Sequence, residues 1–197
     1  MHRISRWLRA LVCILPGMML LGCTAKAPAP PAAASGITDL EGHLINPLAV
    51  HNERATVLLF ITNDCPISNG YAPEIHRLCD AYMKQGIGFY LVYADADLSA
   101  TDAQQHYREY GYRCPALLDR QHELAHKAGA TMTPEAAVFL PNGERVYRGR
   151  INDLYVDYGK ARFAPTTNDL KDVLELIAQG RPVVARTTTA VGCHIPM

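Results

Sequence analysis

The sequence has no surplus of charge. Its 19 lysines and arginines are matched by 19 aspartates and glutamates, so the chain lacks the basic footprint by which nucleic acid is held. It has no internal repeat, and 49% of its 197 residues are hydrophobic against 19% charged. That excludes a disordered or repeat protein and suits one globular domain with appendages. The apolar stretch near the start, Ala10 to Leu21, is too short to span a bilayer as a helix. The sharpest absence is in "FITNDCPISNGYAP", Phe60 to Pro73, where Cys65 stands alone and Ser68 occupies the place of a second thiol.

What is present begins with a leader. Arg3, Arg6 and Arg9 precede the short apolar stretch, the pattern of a secretory signal. Leu20-Leu21-Gly22-Cys23 resembles the bacterial lipobox, which implies cleavage before Cys23 and a diacylglyceryl group on its sulfur. The alternative is a plain signal peptide with a chance cysteine. Thr24 in place of aspartate implies, by the same resemblance, outer-membrane sorting in a Gram-negative host. Loss of residues 1–22 removes three arginines and no acids, leaving 16 basic against 19 acidic residues and a formal charge of −3. Thr24 to Gly36 is rich in alanine and proline and reads as a semi-extended tether. The expected layout is a signal over 1–22, a lipidated tether over 23–36, a domain over 37–180 and a tail over 181–197.

Within the domain, apolar runs and breakers alternate. Glu41-Gly42 suggests an N-terminal hairpin; "ATVLLFIT", Ala55 to Thr62, and "IGFYLVYAD" read as buried strands. A helix is expected over about Ile67 to Gln85, with Tyr71, Ile75, Leu78 and Tyr82 on one face. "ATDAQQHYREYG" and "QHELAHKAG" are further helices ending in glycine, with "PALLD" a short strand between them. "EAAVFLPNGERVYRGRI" gives two strands about an Asn142-Gly143 turn. A last amphipathic helix runs from a capping Asn168 to Gly180. The order β-α-β-α-β-α-β-β-α predicts an α/β fold with a mixed sheet flanked by helices.

The run of apolar strand, Cys65-Pro66-Ile67-Ser68, helix with Pro73, and then Thr133-Pro134 before a strand and an Asn-Gly hairpin resembles the thioredoxin fold. It is most similar to the redoxin branch, which holds alkyl hydroperoxide reductases, thiol-specific antioxidants and membrane-tethered thiol–disulfide interchange proteins. The likeness covers about residues 37–180. It implies an oxidoreductase with Cys65 as nucleophile, a cis-proline at Pro134, and Thr133 presenting backbone to an extended substrate beside Pro66 and Ser68. It implies no metal or organic cofactor. The partners it implies are a protein disulfide or a small thiol or peroxide as substrate, an unidentified reductant, and the membrane through the lipid on Cys23.

The residues support that chemistry independently. Cys65 sits where a strand feeds a helix, and Pro66 suits the first helical turn because its missing N–H would be unpaired there. Free amides and the positive helix end favour thiolate, which lowers cysteine pKa values to roughly 3.5–7.5 in such places. Asp64 opposes this by an amount on the order of 1 kcal/mol, comparable with the dipole. The competing reading is an inert buried cysteine.

Because Ser68 replaces the second cysteine, Cys65 either stops at mixed disulfides or is resolved from a distance. The tail "TTTAVGCHIPM" carries Cys193, a candidate mobile resolving thiol that would attack a Cys65 mixed disulfide or sulfenate. A structural bridge from Cys193 to Cys114 or Cys79, or a free tail thiol, remains open; Cys79 adjoins the apolar helix face and reads as core. Thr62 matches the Thr-x-x-Cys part of the peroxiredoxin motif, but Leu58 stands at its proline, and Thr133-Pro134 stands near where an arginine would activate the thiolate. Arg148 and Arg150 are possible substitutes. Disulfide exchange therefore ranks above peroxide reduction. A copper-binding role through Cys193, His194 and Met197 and a zinc site at "HELAH", His122 to His126, rank lower, the latter for want of a third ligand. Tyr155, Tyr158 and Phe163, in the long connection 151–167, are expected to cover the sheet edge.

Overall fold

The computed structural model describes residues 36–49 and 52–197. The signal segment, Cys23 and the tether up to Ser35 lie outside the described residues. None of the described helices is long and apolar enough to cross a membrane.

The first strand, β1 (Thr38–Asp39), opens a tight turn in which Asp39 N–H bonds His43 O at 2.9 Å and Ile45 N–H bonds Ile37 O at 3.0 Å. This is the hairpin expected around Gly42. Next come β2 (Ala55–Ile61), α1 (Pro66–Gly70), α2 (Ala72–Tyr82), β3 (Ile87–Tyr93), α3 (Ala100–Glu109), β4 (Ala116–Leu118) and α4 (Glu123–Ala128). Then follow β5 (Met132–Thr133), β6 (Glu135–Phe139), β7 (Arg145–Gly149), β8 (Tyr155–Asp157), β9 (Lys160–Ala161), α5 (Asp169–Ala178), β10 (Arg186–Thr187) and β11 (Cys193–His194).

Seven strands form a mixed sheet in the order β1-β4-β3-β2-β6-β7-β10. Strand β2 lies at its centre, parallel to β3 and antiparallel to β6, and all seven of its residues are buried. A strand buried on both faces needs no polar alternation, which is why its sequence is one apolar run. Its side chains still alternate between two cores. Val57, Leu59 and Ile61 pack with α2 and α5, through Ile75, Leu78, Val173 and Leu174. Leu58 and Phe60 pack with α4, through Leu124, Ala125 and Ala128.

The single helix expected over Ile67 to Gln85 is two helices and a terminal 3-10 turn, Met83–Gln85. Pro73 causes the break: it has no N–H for the Asn69 carbonyl, and its ring crowds the preceding turn. The chain restarts on Tyr71, whose carbonyl accepts from Glu74 at 3.0 Å and Ile75 at 2.9 Å. The apolar face survives, with Tyr71, Ile75, Leu78 and Tyr82 all buried. Asn168 occupies the N-cap position of α5, but its side chain caps nothing. The free N–H of Leu170 bonds Ile151 O at 3.1 Å instead.

The expectation that the aromatics of 151–167 cover the sheet edge is corrected. Strands β8 and β9 pair with each other, outside the main sheet. Tyr155 packs on Tyr71 with ring centres 5.3 Å apart, while Tyr158 and Phe163 are exposed and cover nothing. The sheet edge is closed by the tail, where β10 runs parallel to β7 and Thr188 N–H bonds Arg148 O at 2.9 Å.

Candidate active site

Cys65 terminates the loop after β2 and serves as N-cap of α1. Its backbone is extended (φ −87°, ψ 113°), and its sulfur accepts the Ser68 N–H at 3.5 Å. Pro66 follows at the start of the helix, where no N–H is needed. This geometry gives any negative charge on Sγ a fixed backbone donor, the arrangement that favours thiolate.

The sulfur is joined to Cys193, 128 residues away in sequence, with Cα atoms 6.1 Å apart. Of the pairings left open for the tail cysteine, this is the one the structure contains. The tail is not loose. Strand β11 runs antiparallel to β5, with Cys193 opposite Thr133 and His194 opposite Met132. Ile195 N–H bonds Thr131 O at 3.0 Å, and Thr133 Oγ1 donates to Cys193 O at 3.4 Å. A thiol expected to be mobile is held in a ladder, and Cys65 beneath it is wholly buried.

The peptide between Thr133 and Pro134 is cis. Thr133 O lies 3.4 Å from Cys65 Sγ, a contact that becomes a hydrogen bond when that sulfur carries a proton. Behind it, the buried carboxylate of Glu135 accepts the N–H groups of Thr131 at 2.8 Å and Met132 at 3.1 Å. Arg148 Nε faces its other oxygen at 3.5 Å, an ion contact short of hydrogen-bond geometry. Glu135 belongs to no motif; its signal in the sequence is a carboxylate heading the apolar run "EAAVF".

Ser68, expected beside the substrate, is fully buried, and its hydroxyl accepts Thr62 N–H at 3.4 Å. It braces the loop. Thr62 Oγ1 donates to Asp64 Oδ1 at 2.9 Å. Arg148 donates to Gly129 O, and Arg150 is paired with Asp169 at 2.8 Å. None of these three side chains is directed at the Cys65 sulfur by the bonds it makes.

A buried polar chain also supports the loop from below. Tyr93 Oη meets His106 Nδ1 at 2.8 Å, His106 Nε2 meets Asn69 Oδ1 at 2.9 Å, and Asn69 Nδ2 donates to Asn63 O at 2.9 Å. Burial holds the His106 imidazole below its ordinary pKa. Ala103, His106, Tyr107 and Tyr110 share helical spacing, the sequence signal that could have placed this histidine inward.

The other candidates separate from the site. His122 is the N-cap of α4 in the left-handed region (φ 57°), with its ring 6.4 Å from that of His126. Among the described residues no three His, Cys, Asp or Glu side chains gather as a metal-binding group. Cys193 is bonded to Cys65 while His194 and Met197 point to solvent, so the proposed copper donors are not assembled. A cavity of about 620 Å³ lies between α3 and the β1–β4 edge, lined by Leu40, Tyr90, Tyr107 and Leu117 and by none of the residues around Cys65.

Comparison with known proteins gives a family and several similar folds. The family model described as Redoxin matches residues 24–154. Among solved structures, an uncharacterized conserved protein from Geobacillus kaustophilus is 28% identical, with 82% of this chain and 87% of that one covered and a TM-score of 0.70. A hypothetical protein from Sinorhizobium meliloti 1021 is 23% identical over 81% and 88%, with a TM-score of 0.69. MTB dsbF, solved in its mixed oxidized and reduced forms, is 17% identical over 72% and 90%, with a TM-score of 0.51. None of the curated proteins matches the sequence.

Proposed function

Because the chain belongs to the redoxin family, we propose that it is a thiol–disulfide oxidoreductase in which Cys65 is the nucleophile and Cys193 the resolving thiol. One observation carries the reading: the Cys65–Cys193 disulfide is seated on the backbone edge beside cis-Pro134. That edge offers an antiparallel ladder to any extended segment, and the tail occupies it with a cysteine opposite Thr133, as a substrate strand would.

In the reduced protein β11 leaves, and a substrate disulfide takes its place. The Cys65 thiolate, steadied by the Ser68 N–H, attacks one substrate sulfur; a Cys65–substrate S–S bond forms, the substrate S–S bond breaks, and the other sulfur departs as thiolate and takes a proton from water. Cys193 thiolate then attacks Cys65 Sγ and expels the second substrate thiol. The substrate has gained two electrons and two protons, and the Cys65–Cys193 disulfide is returned to dithiol by an external dithiol reductant. Reversed, the same steps oxidise a substrate dithiol. Thr133 and Pro134 present backbone to the incoming strand; Pro66 and Ser68 shape the loop.

Peroxide reduction is less well supported. Thr62 donates its hydroxyl to Asp64, and both candidate arginines are bonded elsewhere. The leader-like segment supports a location within the same proposal: export, with a lipid on Cys23 holding the domain at the periplasmic side of a membrane, the outer membrane in a Gram-negative host.

The test is trapping. Cys193→Ser incubated with a disulfide-bonded protein should accumulate a mixed disulfide on Cys65, and Cys65→Ser should accumulate none. Equal trapping by both variants, or oxidation of Cys65 by hydrogen peroxide far faster than by disulfides, would overturn the assignment.

A further inference from the structure

Among the described residues two cysteines remain outside this chemistry. Cys79 lies on α2 and Cys114 just ahead of β4; both are buried in the same core and carry free thiols. The two thiols are neighbours in that core, each the largest influence on the other's ionisation. The neighbouring residues pair across the same seam: His76 meets the Tyr112 ring edge-on at 5.5 Å, and Asp80 meets Arg113 at 3.5 Å. The Cys114 backbone is itself fixed, since its carbonyl accepts Tyr107 Oη at 3.2 Å and Pro115 O accepts Leu91 N–H at 2.9 Å. Contacts on either side of the cysteines thus hold the two segments that carry them against one another.

We propose that Cys79 and Cys114 close a second disulfide when the protein folds in an oxidising medium, fastening α2 to the chain entering β4. One cysteine attacks a sulfur of a disulfide donor such as oxidised glutathione, releasing one thiol. The other then displaces the second thiol and completes the Cys79–Cys114 bond. Two S–H bonds give way to one S–S bond, and the donor takes up two electrons and two protons. Neither sulfur is open to solvent once α2 is packed, so the exchange occurs during folding, and the finished bond is shielded from reductants that reach Cys193.

This pair does not depend on the fate of Cys65, and its test is separate. The full chain is refolded with oxidised and reduced glutathione, alkylated in denaturant and digested with trypsin without reduction. The peptides Leu78–Lys84 and Cys114–Arg120 should be recovered as one cross-linked species that has lost two hydrogens. Recovery of both as alkylated single peptides would overturn the proposal. In a Cys65→Ser, Cys193→Ser background, protein unfolded, reduced and refolded in dithiothreitol should melt roughly 5–15 °C below the oxidised protein; equal Tm values would equally reject it.

Discussion

Gly192 crosses the carbonyl of Thr133 so closely that a β-carbon on it would overlap the oxygen and lie 2.7 Å from the carbonyl carbon. The same atom would sit 3.2 Å from Pro134 Cδ. A glycine immediately before Cys193 is therefore what lets the tail lie flat on the cis-proline edge and bring its sulfur to Cys65.

Gly192→Ala should push β11 off Thr133. The obstacle is backbone and cannot swing aside, so relieving it costs about 1–3 kcal/mol. That cost falls on the oxidised protein alone, which raises the reduction potential of the Cys65–Cys193 couple by roughly 20–65 mV. Redox titration against glutathione, read by alkylation of Cys193, measures it; an unchanged potential would mean that the tail reaches Cys65 by another path.

This contact also marks where the sequence stopped being legible. The buried strands could be read because β2 and β3 are unbroken apolar runs, and the α2 face because Tyr71, Ile75, Leu78 and Tyr82 recur at helical spacing. Pro66 could be placed because a proline suits the first helical turn, and Cys65 and Pro134 because the order of strand, Cys-Pro, helix and Thr-Pro resembles the thioredoxin fold. The tail carries no such pattern. Strands β10 and β11 have two residues each, too short for any period, and they exist because β7 and β5 offer free edges. Ser68 illustrates the same limit, since its position was clear but the direction of its hydroxyl depends on Thr62, across the loop.

Ser68→Cys should test how far the site departs from a two-thiol motif. The Ser68 N–H already reaches the Cys65 sulfur, so a thiol at this position competes with Cys193 for the same atom. Non-reducing peptide mapping of the oxidised variant should find Cys193 partly free, and the tail correspondingly more open to protease. Retention of the full Cys65–Cys193 bond would show that the ladder with β5 outweighs proximity.

The His106 chain makes stability depend on pH. The folded imidazole has its pKa held below the ordinary 6.5 by burial, so near and below that value the unfolded chain binds a proton that the folded protein does not. This contribution is complete above pH 6.5 and is lost as pH falls through that value towards the folded pKa. Urea midpoints between pH 7.5 and 5 should decline on the acid side. His106→Phe, which also loses the bonds to Tyr93 and Asn69, should be less stable at every pH but should show a shallower decline. A slope unchanged in the variant would assign the pH dependence to other groups.

Glu135 links the scaffold to the site. Its carboxylate holds the two N–H groups ahead of the cis-proline and faces Arg148 from the next strand, so it sets the height of Thr133 against Cys65. Glu135→Gln keeps one accepting oxygen but turns an amide towards the guanidinium. Breaking a fully buried pair costs about 3–5 kcal/mol. Arg148 is partly exposed, so the expected loss here is nearer about 1–3 kcal/mol. A cycle with Arg148→Met separates the pair from the loop: the part of the loss that persists without Arg148 belongs to the Thr131 and Met132 bonds. If that persistent part also weakens the Cys65–Cys193 disulfide in a glutathione titration, Glu135 acts as a positioning residue. If stability falls while the redox equilibrium stays fixed, it only braces the sheet.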